Sequence, residues 1–324
     1  MMMGIIRWIG VALALFAITA SAALGNYYEI GNPQTYEVRQ VLELRNRGGV
    51  ANDVRGRVHI FDREELPPYQ KLLSCSVYAS SYKPKLYKDY AEWVIPKMLP
   101  NQTVKIEFEY WIVNYTIDHQ LKEFRGRTRD ADKYLMAETG IESADSAIVA
   151  LANRLTADQS TPLAKAKSIY AFVNSHMDYH IVEDEKDHSA LKALNRKYGS
   201  CVDFSLAYIA LCRAAGIPAR YVSGYRFDEM KISHKSQVLT PYSHAWVEIQ
   251  LPQLGWVTVD PTYVYTVAGV KMTNYNYFGK IIPGDRHLFF NYRRDRETEV
   301  QWRHDKRSPA KLEMNMTMTI RRVR

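Results

Sequence analysis

Apolar and polar side chains alternate from Thr35 to Leu44 and again from Val54 to Phe61. A period of two sends successive side chains to opposite faces, so both runs predict strands with one buried face. Val104 to Val113 is a third such run, rich in aromatic and β-branched residues. Turn clusters at Arg47-Gly48-Gly49, Pro67-Pro68 and Pro100-Asn101 separate the runs. Short strands punctuated in this way predict a β-sandwich over residues 27–125.

The period then changes. Asp145 to Leu155 carries apolar residues at helical spacing, and Thr161-Pro162 supplies an N-cap followed by proline at the first helical position. Leu163, Ala166, Ile169, Tyr170, Val173 and Met177 mark one face of the helix that follows. Another helix is predicted from Cys201 to Ala215, with Gly216 as its left-handed terminal residue and Pro218 forbidding continuation. Strands are predicted at Ala219–Tyr225, His244–Leu251 and Trp256–Asp260. Helices followed by strands predict an α+β domain over residues 130–324. Its last element is a half-buried strand extension, in which Leu312, Met314, Met316, Met318 and Ile320 alternate with Glu313, Asn315, Thr317 and Thr319. That methionine stripe is expected to pack, not to hold a cofactor, and Arg321-Arg322-Val323-Arg324 to be a solvated tail.

Composition narrows the class. With 47% hydrophobic and 24% charged residues the chain is globular, which excludes disorder on a large scale. A formal net charge of +8 suits anionic surroundings such as a cell-wall polymer or lipid headgroups. The Lys and Arg are scattered and no nucleic-acid motif accompanies them, so they are expected to be a solvated surface and nucleic acid is not expected as a partner. Residues 1–22 have the pattern of a signal peptide: Arg7, the apolar run Trp8 to Ala20, then the small residues Ala20-Ser21-Ala22. Extending the run through Leu24 leaves an uncleaved N-terminal anchor as the alternative. The protein is therefore expected to be secreted or held in the cell envelope. Its three cysteines are an odd number, so export leaves at least one thiol unpaired. On one helix, Cys201 and Cys212 would lie about 16 Å apart, beyond disulfide reach, and Cys75 belongs to the other domain. The sequons at Asn101, Asn114 and Asn315 carry little weight.

Candidate chemistry lies in three segments: Tyr198 to Asp203, Tyr242 to Glu248, and Gly255-Trp256 through Asp260-Pro261-Thr262. A thiol attacks a carbonyl as thiolate, and Cys201 at a helix start sits at the positive end of the dipole, which lowers its pKa. Gly199 allows close backbone approach, leaving amides to stabilise an oxyanion. His244 is placed to pair with the thiolate and protonate a leaving amine, and Asp260 to fix its tautomer. Singly, each has a plainer reading: a small buried hydrophobe, a strand histidine, a turn former. Only the three together, in order, single out chemistry.

The arrangement resembles the transglutaminase-like superfamily. Its pattern is matched by Gly199 to Asp203, Ala215-Gly216-Ile217-Pro218-Ala219-Arg220, His244 to Glu248, and Gly255-Trp256 with Asp260-Pro261-Thr262. The resemblance implies a papain-like core spanning residues 161–265, with a Cys-bearing helix packed on an antiparallel sheet, and catalysis by Cys201, His244 and Asp260. One departure concerns the oxyanion. Animal transglutaminases donate to it from a Trp upstream of the Cys, whereas this chain has no Trp between Trp111 and Trp246. Tyr179 and Tyr198 are the available substitutes, and each is expected to pack instead. Asp203 is expected to cap its helix and Cys212 to be core. His176, His180, His188 and His234 form no metal set, and His180 and His188 flank the polar loop Glu183 to Asp187, expected to be solvated. Neither a cofactor nor a metal, calcium included, is expected. The expectation is an exported enzyme forming a thioester on Cys201 from an amide or peptide donor, cell-wall peptide among them. Water is the favoured acceptor, making a peptidase or amidase, and an amine the other. The alternative is a non-catalytic envelope binding or assembly module that retains the fold.

Overall fold

Long alternating runs become long strands. In the computed structural model the described residues are 27–79, 82–126, 128, 131–182, 188–294 and 298–323. The expected signal segment 1–22 and the loop 183–187 lie outside them. The first strands are β1 (Tyr28–Asn46), β2 (Ala51–His59), β3 (Gln70–Ala79), β4 (Tyr90–Met98) and β5 (Thr103–His119). Strands β1 and β3 both pair antiparallel with β5, while β2 pairs with β4 in a second sheet. The inward faces of the two sheets meet in one core, with Val38, Leu42, Val58, Trp93 and Phe108 among its members. This is the N-terminal β-sandwich, and each alternation seen in the sequence marks one of its buried faces.

The helices follow as α1 (Ser146–Thr156), α2 (Pro162–His176), α3 (Ala190–Arg196) and α4 (Cys201–Ala214). The Thr161 hydroxyl accepts from the Ala164 amide, and Pro162 opens α2. All six residues of the predicted α2 face are buried. Helix α4 ends before Gly216, whose φ of +79° is the left-handed conformation expected there.

Four antiparallel strands, β6 (Ala219–Asp228), β7 (Ser243–Leu251), β8 (Gly255–Val259) and β11 (Asp285–Asn291), form a sheet in the order β8-β7-β6-β11. Between β8 and β11 comes the hairpin of β9 (Val264–Val267) and β10 (Val270–Thr273). Helix α4 lies against this sheet, its Phe204, Leu206 and Tyr208 sharing a core with Ile169 of α2 and Val247 and Ile249 of β7.

The C-terminal strands depart from expectation. Strand β12 (Glu299–His304) pairs with β2, and β13 (Leu312–Arg322) with β1, Leu44 facing Met314 and Val38 facing Ile320. They complete the sandwich, and β13 meets the second domain only through a short pairing with residues 237–238. Periodicity shows that a strand has a buried face but not which sheet covers it. Along the methionine stripe only Met318 and Ile320 are buried, whereas Met314 and Met316 are each 42% exposed. Arg321 and Arg322 belong to β13, and Arg321 is ion-paired with Glu37, so this end is not a free solvated tail.

Candidate active site

Helix α4 begins at the thiol, and its first turn is built around Asp203. That fully buried carboxylate accepts from the Ser200 amide at 2.8 Å and hydroxyl at 3.2 Å, from Arg196 at 2.6 Å and from His188 Nδ1 at 3.0 Å. Asp203 therefore caps the helix, as its position predicts. His188 is recruited to it and is not solvated, because a buried carboxylate needs donors on both oxygens. Gly199 has a different purpose from the one its motif suggests. A Cβ there would lie 2.3 Å from the Asp203 Cβ, so the glycine makes room for the cap. The Ser200 N–H, bonded to Asp203, is not left for an oxyanion.

His244 stands near the start of β7, across from Gly224 of β6. Its Nε2 donates to Asp260 Oδ2 at 2.7 Å, and the ring also hydrogen-bonds the Cys201 sulfur. Asp260 follows β8, its Oδ1 accepting from the Thr262 amide at 3.0 Å. Helix α2 holds this loop from behind: Tyr170 donates to the Asp260 carbonyl at 3.1 Å and Asn174 to the Pro261 carbonyl at 2.6 Å. The structure thus brings Cys201, His244 and Asp260 together, all buried.

The electrostatics follow from that contact. Burial alone would raise the Cys201 thiol, but the hydrogen bond and charge of His244, with the Ala245 amide, hold it below its ordinary value. Burial alone would lower His244, yet the charge and hydrogen bond of Asp260, then Cys201, outweigh it and raise the imidazole from 6.5 to about 10. Burial likewise opposes the Asp260 charge, and His244 together with a second imidazole holds that carboxyl far below the usual range. Burial pushes up the thiols of Cys75 and Cys212, and neither the Arg63 charge near Cys75 nor the Tyr208 hydroxyl at Cys212 outweighs it. All three cysteines are unpaired.

The second imidazole is His287 of β11, which the sequence did not single out. Its Nε2 donates to the same Asp260 Oδ2 at 3.0 Å. No motif marks it, since a residue in the middle of a fully buried strand carries no sign of what it faces. Each of His244, Asp260 and His287 offers one ligand-type atom, all within 4.8 Å of one another. The two Nε2 atoms carry the protons they donate to Asp260, so hydrogen bonding already satisfies this set.

Of the tyrosines weighed as oxyanion donors, Tyr179 lies within electrostatic reach of Cys201. Tyr198 instead stacks beneath the Arg196 guanidinium and meets His180 edge-on. The remaining motif residues are structural. Arg220 donates to Glu248 at 2.7 Å across β6 and β7, is paired with Glu65 of the sandwich, and lies over the rings of Trp256 and Tyr292 at 4.1 and 3.6 Å. Trp246 donates to the Tyr69 hydroxyl at 3.1 Å. A cavity of about 460 Å³ lined by Arg213 and Arg220 lies near the C-terminal end of α4, away from the thiol.

A thiol at the head of a buried helix, facing a histidine on an antiparallel sheet with an aspartate behind it, defines the papain-like architecture of cysteine acyl-transfer proteins. Residues 149–261, about a third of the chain, match the family model of the transglutaminase-like superfamily, so this segment is a transglutaminase-like domain. Among curated proteins, an uncharacterized Bacillus subtilis protein, YebA, is 29% identical over 175 residues, covering 47% of this chain and 24% of its own length. A Pseudomonas aeruginosa protein-glutamine gamma-glutamyltransferase is 42% identical over 66 residues, 20% of this chain and 10% of that protein. The chain thus matches only a minor part of these relatives. A solved Cytophaga hutchinsonii structure, described as a candidate cysteine protease, shares the fold at a TM-score of 0.55 and 15% identity, covering 91% of this chain and 100% of that one.

Proposed function

We propose that this protein is an envelope cysteine acyl-transfer enzyme that takes an amide or peptide donor and forms a thioester on Cys201. The carrying observation is the buried hydrogen-bonded chain from Cys201 through His244 to Asp260, in which the thiol is lowered and the imidazole raised. The thiolate attacks the donor carbonyl carbon, and His244 gives its proton to the departing amine as the C–N bond breaks. Neutral His244 then takes a proton from water as the oxygen attacks the thioester, and the C–S bond breaks to release the acid and restore the Cys201 thiolate beside protonated His244. Water is the favoured acceptor, which makes the enzyme a peptidase or amidase; an amine in its place gives a cross-link. The transferase name of the Pseudomonas relative supports acyl transfer as the general chemistry. The apolar run and small residues of segment 1–22 support export, and the charge of +8 supports association with an anionic envelope surface or a cell-wall peptide substrate.

The test is turnover of amide and peptide substrates by wild type and Cys201→Ala, with thermal unfolding as the folding control. Cys201→Ala is expected to fold normally and lose all turnover, and adding His244→Ala to cost nothing further, because the residues act as one unit. A folded Cys201→Ala protein with normal activity would overturn the reading. Normal envelope function in a Cys201→Ala strain would favour a binding or assembly module instead. Peptide mapping of exported protein is expected to find the mature N-terminus at or next to Ala23.

A further inference from the structure

Asp260 is held by more than the histidine it serves. Its Oδ1 accepts from the Thr262 amide, while Oδ2 is shared between His244 and His287. Without His287, the only donors to the carboxylate among the described residues would be that one amide and His244, the group whose orientation depends on it. His287 is itself firmly placed. Its carbonyl accepts from Asn114 of the sandwich at 2.8 Å, and its ring meets Trp246 edge-on at 5.1 Å. Two residues on, Phe289 is clamped at both its N–H and its carbonyl by Gln70, at 2.9 and 2.8 Å.

The ring also has the right charge for the task. Its Nδ1 is buried with no hydrogen-bond partner among the described residues, and burial holds its pKa below the ordinary value despite the Asp260 contact. The charged or titratable groups that face it are Asp260 from the loop after β8, His244 of β7, and Asp285 of its own strand. Asp285 is in turn engaged by Arg226 of β6 and the Tyr277 hydroxyl. A neutral donor fixes the carboxylate without placing a second cation against it to compete with His244.

We propose that His287 is a positioning residue of this centre, whose Nε2–H locks the Asp260 carboxylate so that its shared oxygen holds His244 against Cys201. This rests on Cys201 being the nucleophile, so the test reads the thiol directly. The full chain is compared with His287→Leu, His287→Phe and His287→Gln, following Cys201 alkylation by iodoacetamide against pH, turnover, and unfolding temperature. Wild type is expected to alkylate with a midpoint below the ~8.5 of a free thiol. His287→Leu and His287→Phe are expected to move that midpoint up by roughly half a unit or more and cut turnover about 10- to 100-fold, the range for one lost charge-assisted hydrogen bond. His287→Gln, which keeps an N–H donor, is expected to restore most of both. A residue that only packs would give the opposite order, the apolar variants tolerated and the buried amide worse. An unshifted midpoint in the folded apolar variants, or equal loss in the Gln variant, overturns the proposal. The Phe variant preserves ring shape and serves if Leu does not fold. A wild-type midpoint at or above the free-thiol value sinks the nucleophile reading itself, whereas a low wild-type midpoint with unshifted variants sinks the role of His287 alone.

Discussion

At the residue scale the centre is a row of groups whose charges depend on contact. Asp260→Asn should keep the fold and sharply reduce turnover; the loss reaches ~10⁴-fold in serine protease triads, and a preformed thiolate pair softens it here. The same contacts make stability depend on pH. His244 has a folded pKa near 10, above its unfolded ~6.5, so its contribution is complete below about pH 6.5 and is lost as pH rises through about 10. Asp260 is depressed, so its contribution is present above its unfolded ~3.9 and is lost as pH falls toward its folded value. Unfolding of wild type and His244→Gln across pH 6–11 checks the first of these. The stability gap should be widest near pH 6 and closed by about pH 10.5. The identities of Cys201, His244 and Asp260 were all legible in the sequence, since their neighbours place one at a helix start and two beside strands. His287 and His188 were not legible, because each is defined by a partner distant in the chain.

At the element scale, α4 delivers the thiol and its first turn is the sensitive part. Asp203 ties the Ser200 backbone, Arg196 and His188 to one carboxylate. Asp203→Ala should therefore cost about 2–4 kcal/mol in urea unfolding, since it leaves a buried amide without its acceptor. It should also slow Cys201 alkylation in the folded protein. The sheet has a similar constraint at Gly224, where a Cβ would sit 2.4 Å from the Trp246 ring and 2.2 Å from the Leu288 carbonyl. Gly224→Ala is expected to destabilise by about 2 kcal/mol or more, measured by the same unfolding, because backbone on one side cannot yield. Helix ends were predictable from capping chemistry and strand positions from period. The motif's glycine, arginine and tryptophan gained their meaning only from what they pack against.

At the scale of the whole molecule the sandwich and the papain-like unit share their interior. Tyr225, Phe227, Leu288 and Phe290 of the β6–β11 sheet belong to the same hydrophobic cluster as the sandwich core. Gln70, Asn114, Tyr69 and Glu65 reach from the sandwich to the strands and motif residues around the site. Calorimetry should then show one cooperative transition, and Gln70→Ala should lower that single midpoint. Two transitions, with only the first shifted, would contradict a shared core. Among the described residues no helix is long and apolar enough to cross a membrane.

The sequence by itself determined what local chemistry controls: where helices are capped and stopped, which strands have a buried face, and which Cys, His and Asp stand in order along the chain. Those features depend on neighbours within a few residues, so they are written in period and motif. Tertiary structure decided which sheet the last strands join, which buried side chains satisfy Asp203 and Asp260, and why Arg220 faces Glu248. Each of these depends on groups brought together from distant parts of the chain, where pairing is selected by burial and by the need to satisfy every buried polar atom. His287 illustrates the difference: its strand was bound to be buried, but only the assembled fold turned one of its side chains toward the aspartate.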